Sequence, residues 1–491
     1  MNAAQCGANA WFKRLIGNRI TEKGERSPRN GYVNGHIQGH TMESWTPILQ
    51  ETTKCRAARQ VINLKTKNYM DIILEKFMEP ERWRYAIGKA YNKDVKKGDL
   101  YQLTKPEIRY ALYERIKTGN YEITPPHTAL IPKDDGDFRK VYVNEPVDRV
   151  VLSICNDLLF ELMPEMIHKN CKSYLRGVGC CDVVIELSDK VANAKPDASN
   201  QVGFKADLSK YFDSVPIKFI DEAFDKVEKK WGHSTLIDML RKYYHCDWFF
   251  DTDGILKQAY QSLKQGCSVA SWLADVVLCH IDVELSGMVG DGEYVRYSDD
   301  ILYIGENYTL AMSALSKELE VMGMRLNPKK VEFIRPDMWF KFLGFSIKGA
   351  NRSLSKTRIK TFQKEIKART RHGVSKKKAL NDVISYLYRG NGEYSWATQV
   401  LPVINVAEDI ATLNAFVMDA LRGAQTDRHK IGGLGFVKEQ KTGCINRGKG
   451  ANVKTNRERT EECIEGYMTL MCMKNAIMTS MDAFRMLVRM L

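Results

Sequence analysis

Two runs of β-branched and aromatic residues, Tyr294-Val295-Arg296 and Ile301-Leu302-Tyr303-Ile304, flank a short polar tip, Tyr297-Ser298-Asp299-Asp300. This pattern predicts a β-hairpin with two adjacent carboxylates in its turn. Phe204-Lys205-Ala206-Asp207 follows a loop rich in Pro, Asp, Ser and Asn, and it predicts a strand that ends at Asp207. Leu273 to Leu285 is apolar at helical spacing and reads as a core helix. Asn351 to Arg371 carries Leu354, Ile359, Phe362 and Ile366 in an amphipathic helical pattern, and a second helical stretch spans Lys376 to Tyr388. Near the C-terminus, Leu470, Met473, Ile477, Met481, Phe484, Val488 and Leu491 form one apolar stripe. Such a stripe usually packs on its own core, and a Met-rich terminal helix also allows self-association. Between Gly17 and His40 there is little apolar periodicity, which predicts a flexible or partner-ordered arm.

Charge is concentrated along the chain. The net charge is +14 over 491 residues, yet residues 351–380 alone carry +10 and residues 428–459 carry +7. A basic run is often only a solvated helix face, but two such segments beside a candidate active site favour contact with a nucleic-acid backbone. The 12 cysteines are scattered, with no C-x-x-C pair and with Cys180 and Cys181 adjacent. This spacing suits neither zinc nor a disulfide framework and points to a reducing cytoplasm. No signal-peptide core and no membrane-spanning stretch is apparent. Ile431-Gly432-Gly433-Leu434-Gly435-Phe436 lacks the Lys-Ser/Thr of a phosphate loop, so it reads as a turn or a backbone-contact site.

The carboxylates carry the chemistry. Asp299 and Asp300 repel each other, and a hard divalent cation with oxygen ligands relieves that repulsion. Taken alone, the tetrapeptide is equally a solvated Asp-rich turn. Asp207, at a strand end, supplies a third carboxylate from a distant segment. Three carboxylates can hold two metal ions ~3.5–4 Å apart, an arrangement suited to phosphoryl transfer.

The run Phe204 to Val215, the Tyr297–Asp300 hairpin, Leu326-Asn327-Pro328-Lys329-Lys330 and Phe342-Leu343-Gly344-Phe345 resemble the palm of a reverse transcriptase. Upstream, Ile131-Pro132-Lys133 with Gly136 and Arg139, Asp148-Arg149, and Ser173-Tyr174-Leu175-Arg176-Gly177 resemble its fingers. The matches run in the family's order from about Leu130 to about Ile347. The resemblance implies an α+β right-hand polymerase fold. Its expected parts are an N-terminal extension over 1–60, fingers over 61–200, a palm over 201–347, a helical thumb over 348–425 and a basic, helical extension over 426–491.

The resemblance also implies roles. Asp207, Asp299 and Asp300 would be catalytic and would hold two Mg²⁺ ions, or Mn²⁺ in their place, with Leu208 beside them at both metal and substrate. Phe212, five residues after Asp207, would be the steric gate that excludes a ribose 2′-OH. Lys133 and Arg139 would clamp the triphosphate, and Gln265 and Gly266 would position the template and nucleotide, Gly266 by allowing close backbone approach. Lys330 would protonate departing pyrophosphate, although Lys329 stands next to it. Phe342–Phe345 would grip the primer terminus. Lys264 to Ala274 departs from the group II intron pattern, which has Pro before the Gln, and from the Ser-Gln of diversity-generating retroelements. No endonuclease signature is recognisable.

The leading expectation is an RNA-directed DNA polymerase using dNTPs, with a structured noncoding RNA as template and DNA as product. It is most similar to the bacterial unknown-group and abortive-infection reverse transcriptases of antiphage defence. The alternatives are a polymerase of an endonuclease-less group II intron or a diversity-generating element, and a non-catalytic, maturase-like RNA-binding protein. A homo-oligomer through the C-terminal helix completes the expected partners, and no membrane is among them.

Overall fold

A computed structural model describes residues 70–91, 97–132, 138–193, 202–258, 262–389, 395–426, 470 and 473–475. The expectations for Lys133 and Gly136, for the N-terminal arm, for residues 428–459 with their glycine-rich turn, and for the stripe beyond Met473 lie outside these residues. The chain divides into two units, each assembled from separate stretches. Among the described residues, no helix is long and apolar enough to cross a membrane.

The first unit comprises residues 1–126, 144–162 and 221–248. Its described part is helical: α1 (Ile72–Phe77), α2 (Pro80–Tyr91), α3 (Lys97–Gln102), α4 (Pro106–Lys117), α5 (Pro146–Leu162), the latter part of α8 (Ile217–Trp231) and α9 (Thr235–His245). Helix α5 forms its centre, because Val147, Val150, Val151, Leu152, Ile154, Leu158 and Leu159 are all buried. Asp148 on that helix is buried too, and it accepts hydrogen bonds from the Tyr121 hydroxyl and, at 3.0 Å, from the Thr124 amide.

The second unit comprises residues 127–143, 163–220 and 249–491 and contains the three sheets. Strands β1 (His127–Pro132) and β2 (Phe138–Val143) form a hairpin, joined by β4 (Trp248–Phe250) and β5 (Leu256–Gln258) in the order β2-β1-β4-β5. The central sheet has the order β6-β7-β3-β8, from β3 (Gly203–Asp207), β6 (Glu293–Tyr297), β7 (Asp300–Ile304) and β8 (Glu332–Ile334). All of its pairings are antiparallel. Strands β6 and β7 are buried at nearly every position. That burial fits the apolar run Ile301–Ile304 of β7, whereas β6 carries a buried Arg296 among its apolar residues. A third sheet, β11-β10-β9, is built from β9 (Phe340–Phe342), β10 (Phe345–Lys348) and β11 (Asn351–Leu354).

The helices of this unit are α6 (Cys180–Asn193), α7 (Tyr211–Ser214), the start of α8, α10 (Ala270–Val277), α11 (Cys279–Met288), α12 (Tyr308–Val321), α13 (Lys356–Arg369), α14 (Lys376–Ile384), α15 (Trp396–Gln399) and α16 (Ala407–Thr426). One core joins Val295 and Leu302 of the central sheet to Phe342, Phe345 and Ile347 of the third sheet, and to Phe362, Val383 and Val417 of the helices. Leu470 and Met473 belong to this core. The first two positions of the C-terminal stripe are therefore buried on the chain's own helices.

Two sequence expectations need correction here. Leu273 to Leu285 is broken near Leu278 into α10 and α11. The helix expected from Asn351 starts only at Lys356, because Asn351–Leu354 pairs with β10 and the Ser355 side chain then accepts from the Arg358 amide as an N-cap.

Candidate active site

The central sheet brings the three carboxylates to one end, within range of each other's charge, without drawing their oxygens into one tight cluster. In its register Asp207, the last residue of β3, lies opposite Asp300, the first of β7, which in turn pairs with Tyr297 of β6. Ser298 and Asp299 form the two-residue turn. Ser298 has φ +58°, a left-handed conformation that costs a non-glycine residue roughly 1–3 kcal/mol. Its hydroxyl lies 3.1 Å from the Tyr174 hydroxyl.

Burial lifts the Asp299 carboxyl to about 6, and the charges of Asp207 and Asp300 push it the same way. Asp300 is also raised, first by burial and then by Asp207, against the opposing charges of Lys205 and Lys330. The Lys330 ammonium donates to Asp207 Oδ2 at 2.7 Å. Burial alone would pull Lys330 down, but its hydrogen bond to Asp207 and the three carboxylate charges hold it above the ordinary lysine value. A set of mutually repelling hard oxygen donors suits a divalent cation. Of the two adjacent lysines, Lys330 is the one that reaches the carboxylates. Leu208 continues β3 as a bridge to Leu326, with its side chain buried.

Beside the turn lies a cavity of about 940 Å³, lined by Asp299, Asp300, Arg139, Phe212, Gln265 and Gly266, among others. Phe212 sits in α7, entered through Lys210 at φ +51°. The neighbouring Tyr211 anchors this segment: its ring is buried, and its hydroxyl donates to the Ala274 carbonyl at 2.7 Å. Arg139 is exposed on β2 opposite Ile131. Leu343, at φ +48°, and Gly344, at φ +81°, turn the chain between β9 and β10 and also line the cavity.

Gly266 makes its close approach to the protein itself. With φ +110°, a Cβ there would lie 2.6 Å from the Tyr142 carbonyl oxygen, and the Tyr142 amide donates to the Gln265 carbonyl at 2.7 Å. Gly266→Ala is expected to lower stability by a few kcal/mol. Urea denaturation checks this effect, and wild-type stability would contradict it.

Sequence reasoning missed a charged cluster beneath the turn. Arg296, Asp275 and Asp282 are all fully buried. Arg296 meets Asp282 through two bonds, Nε to Oδ1 at 2.7 Å and Nη2 to Oδ2 at 2.6 Å. The Tyr294 hydroxyl also donates to Asp282, at 2.6 Å, and the Ser173 hydroxyl lies 2.5 Å from Asp275 Oδ1. One cation among two buried carboxylates leaves an excess negative charge. Burial raises Asp275 to about 6, against the opposing pull of Arg296 and Ser173, so a proton relieves the excess charge only below about that pH.

Because this folded value lies above the unfolded one, the associated stability is complete below about pH 4 and is lost as pH rises through about 6. The loss amounts to about 3 kcal/mol at most. Asp275→Asn should therefore show a flatter stability profile than wild type between pH 4 and 7. Parallel profiles in chemical denaturation would refute a proton on Asp275.

Residues 131–347 match a family described as reverse transcriptase (RNA-dependent DNA polymerase). No curated protein matches the chain. Among solved structures, apo telomerase from Candida tropicalis is similar at 12% identity, with 62% of this chain and 58% of that one covered and a TM-score of 0.40. The same enzyme truncated from its C-terminal domain gives 13% identity, coverage of 48% and 55%, and a TM-score of 0.37. Telomerase from Candida albicans, in complex with a fragment of telomeric RNA, gives 12%, 66% and 65%, and 0.35. The chain spans less than two thirds of each of these.

Proposed function

We propose, from the reverse transcriptase domain that this chain carries at residues 131–347 on a right-hand polymerase fold, that the whole protein is an RNA-directed DNA polymerase using dNTPs. The observation that carries the reading is the register of Asp207 against Asp300, with Asp299 at the adjoining turn, beside a cavity that also holds Phe212 and Gln265. A protein that only bound RNA would have no use for two carboxylates lining such a cavity, Asp299 and Asp300, with a third, Asp207, in register behind them.

Asp207, Asp299 and Asp300, with Leu208, would hold the divalent ions, Mg²⁺ or Mn²⁺. When bound, such ions activate an attacking hydroxyl and stabilise the leaving oxygen. The residues of the chain do the rest. Phe212 offers a bulky apolar ring to the sugar and no hydrogen bond to a 2′-OH. Arg139 supplies a planar fork for the triphosphate. Lys330, kept protonated by its carboxylate neighbours, holds a proton for the departing pyrophosphate. The basic face of α13, with Lys356, Lys360, Lys364 and Lys367, would track the backbone of the template–product duplex. The fingers, palm and thumb would follow the boundaries given above.

The template in this reading is a structured noncoding RNA, and the setting is bacterial antiphage defence; the atypical segment around Gln265-Gly266 supports that subgroup over the intron and diversity-generating ones. Purification from native cells, with sequencing of the RNA and DNA that accompany the protein, tests both parts. One discrete RNA with complementary DNA is expected. Intron RNA or a variable-repeat transcript would move the protein to a retroelement, and RNA without any DNA product would favour the maturase-like alternative.

A further inference from the structure

We infer that Arg296 is the positioning residue for Asp299, a buried strut that sets the height of the catalytic turn; this rests on the polymerase reading above. The guanidinium has five N–H donors, and five hydrogen bonds account for them. Two go to Asp282 on α11, as described. Nη2 also donates to the Asp275 carbonyl at 2.8 Å, and Nη1 donates to the Ala274 carbonyl at 3.4 Å and to the Ser298 carbonyl at 3.1 Å. The last of these is the peptide that joins Ser298 to Asp299. The strut therefore ties the metal-ligand turn directly to the junction between α10 and α11.

The strand carrying Arg296 is held on its other side as well. The Arg296 amide donates to the Asn170 carbonyl and its carbonyl accepts from the Lys172 amide, both at 2.9 Å. Asn170 Nδ2 donates to the Tyr294 carbonyl at 2.5 Å. Neither the strand nor the guanidinium is free to shift, so the Ser298 carbonyl has a fixed anchor, and that anchor keeps a serine in a left-handed conformation it would otherwise leave. The Tyr174 hydroxyl contact to Ser298 Oγ holds the same residue from the opposite chemical end. A lysine at position 296 has three donors on a flexible stem and cannot reproduce the fork.

The test compares wild type with Arg296→Lys and Asp282→Asn in three measurements: thermal melting, Mn²⁺ binding to the protein alone by electron paramagnetic resonance, and single-nucleotide addition. Arg296→Lys is expected to stay folded and bind Mn²⁺ several-fold more weakly. It should lower kcat by roughly 10–100-fold, with little change in KM for the dNTP, as a sub-ångström to ångström displacement of a catalytic group does. Asp282→Asn should move the same quantities in the same direction by less. Folded variants with wild-type Mn²⁺ affinity and kcat would overturn the strut. Loss of folding in both would overturn it too, by showing that the cluster serves stability alone. A wild-type protein that binds no Mn²⁺ and adds no nucleotide would instead overturn the polymerase reading itself.

Discussion

Asp299→Ala combined with Asp300→Ala is expected to abolish nucleotide addition, by at least about 10⁴-fold, because under the proposed function several kcal/mol of transition-state charge stabilisation would leave with the metal ligands. Folding should survive. Burial and mutual repulsion hold both carboxyls above their ordinary values, so their charges oppose the folded state, and the variant should melt at or above the wild-type temperature in the absence of metal. Affinity for an RNA–DNA duplex should be unchanged or slightly higher, since two negative charges are removed from a surface that a polyanion approaches. Rapid-quench extension together with filter binding separates these effects. A double variant that still extends a primer would remove the carboxylates from the chemistry.

The second large effect concerns the sugar. Phe212→Ala opens the cavity wall while Tyr211, whose hydroxyl bonds to Ala274 and whose ring meets Phe212 edge-on at 5.7 Å, stays in place to hold the segment. Use of ribonucleotides relative to deoxyribonucleotides should rise on the order of 100-fold in kcat/KM, the scale on which pocket shape discriminates small groups. The check is a competition between matched dNTP and rNTP on one template. An unchanged ratio would return Phe212 to a packing role.

Why were these residues legible from sequence while the strut was not? Asp207, Asp299 and Asp300 occupy strand ends and a turn, where flanking β-branched runs and a polar tip specify the local conformation without tertiary information. Phe212 follows only from the family resemblance, which implies an aromatic residue five positions after Asp207. Arg296 gives the opposite impression. Between Val295 and Tyr297 it reads as the polar, outward member of an alternating strand, yet its strand is buried on both faces and its partners lie upstream on two helices. The available signal was Asp275 and Asp282, two acids among the apolar positions of a helical stretch whose other polar residues are His280 and Glu284. Buried charges require partners, so those two positions implied a cation somewhere in the core.

The same limitation explains Gly266. Its need for a positive φ is local, but the atom it must avoid belongs to Tyr142, on a strand far away in sequence. Boundaries failed where pairing overrode periodicity. Leu354 fits a helical stripe and a strand equally well, and the pairing of Phe345 with Leu354 decides for the strand.

Primer extension tests the central claim most directly. A DNA primer annealed to a defined RNA template is incubated with the wild-type protein, dNTPs and Mg²⁺, and the product is sequenced. The account predicts DNA complementary to the RNA, formed only with dNTPs and divalent cation. A folded wild-type protein that binds the duplex yet adds no nucleotide, with either Mg²⁺ or Mn²⁺, would contradict it.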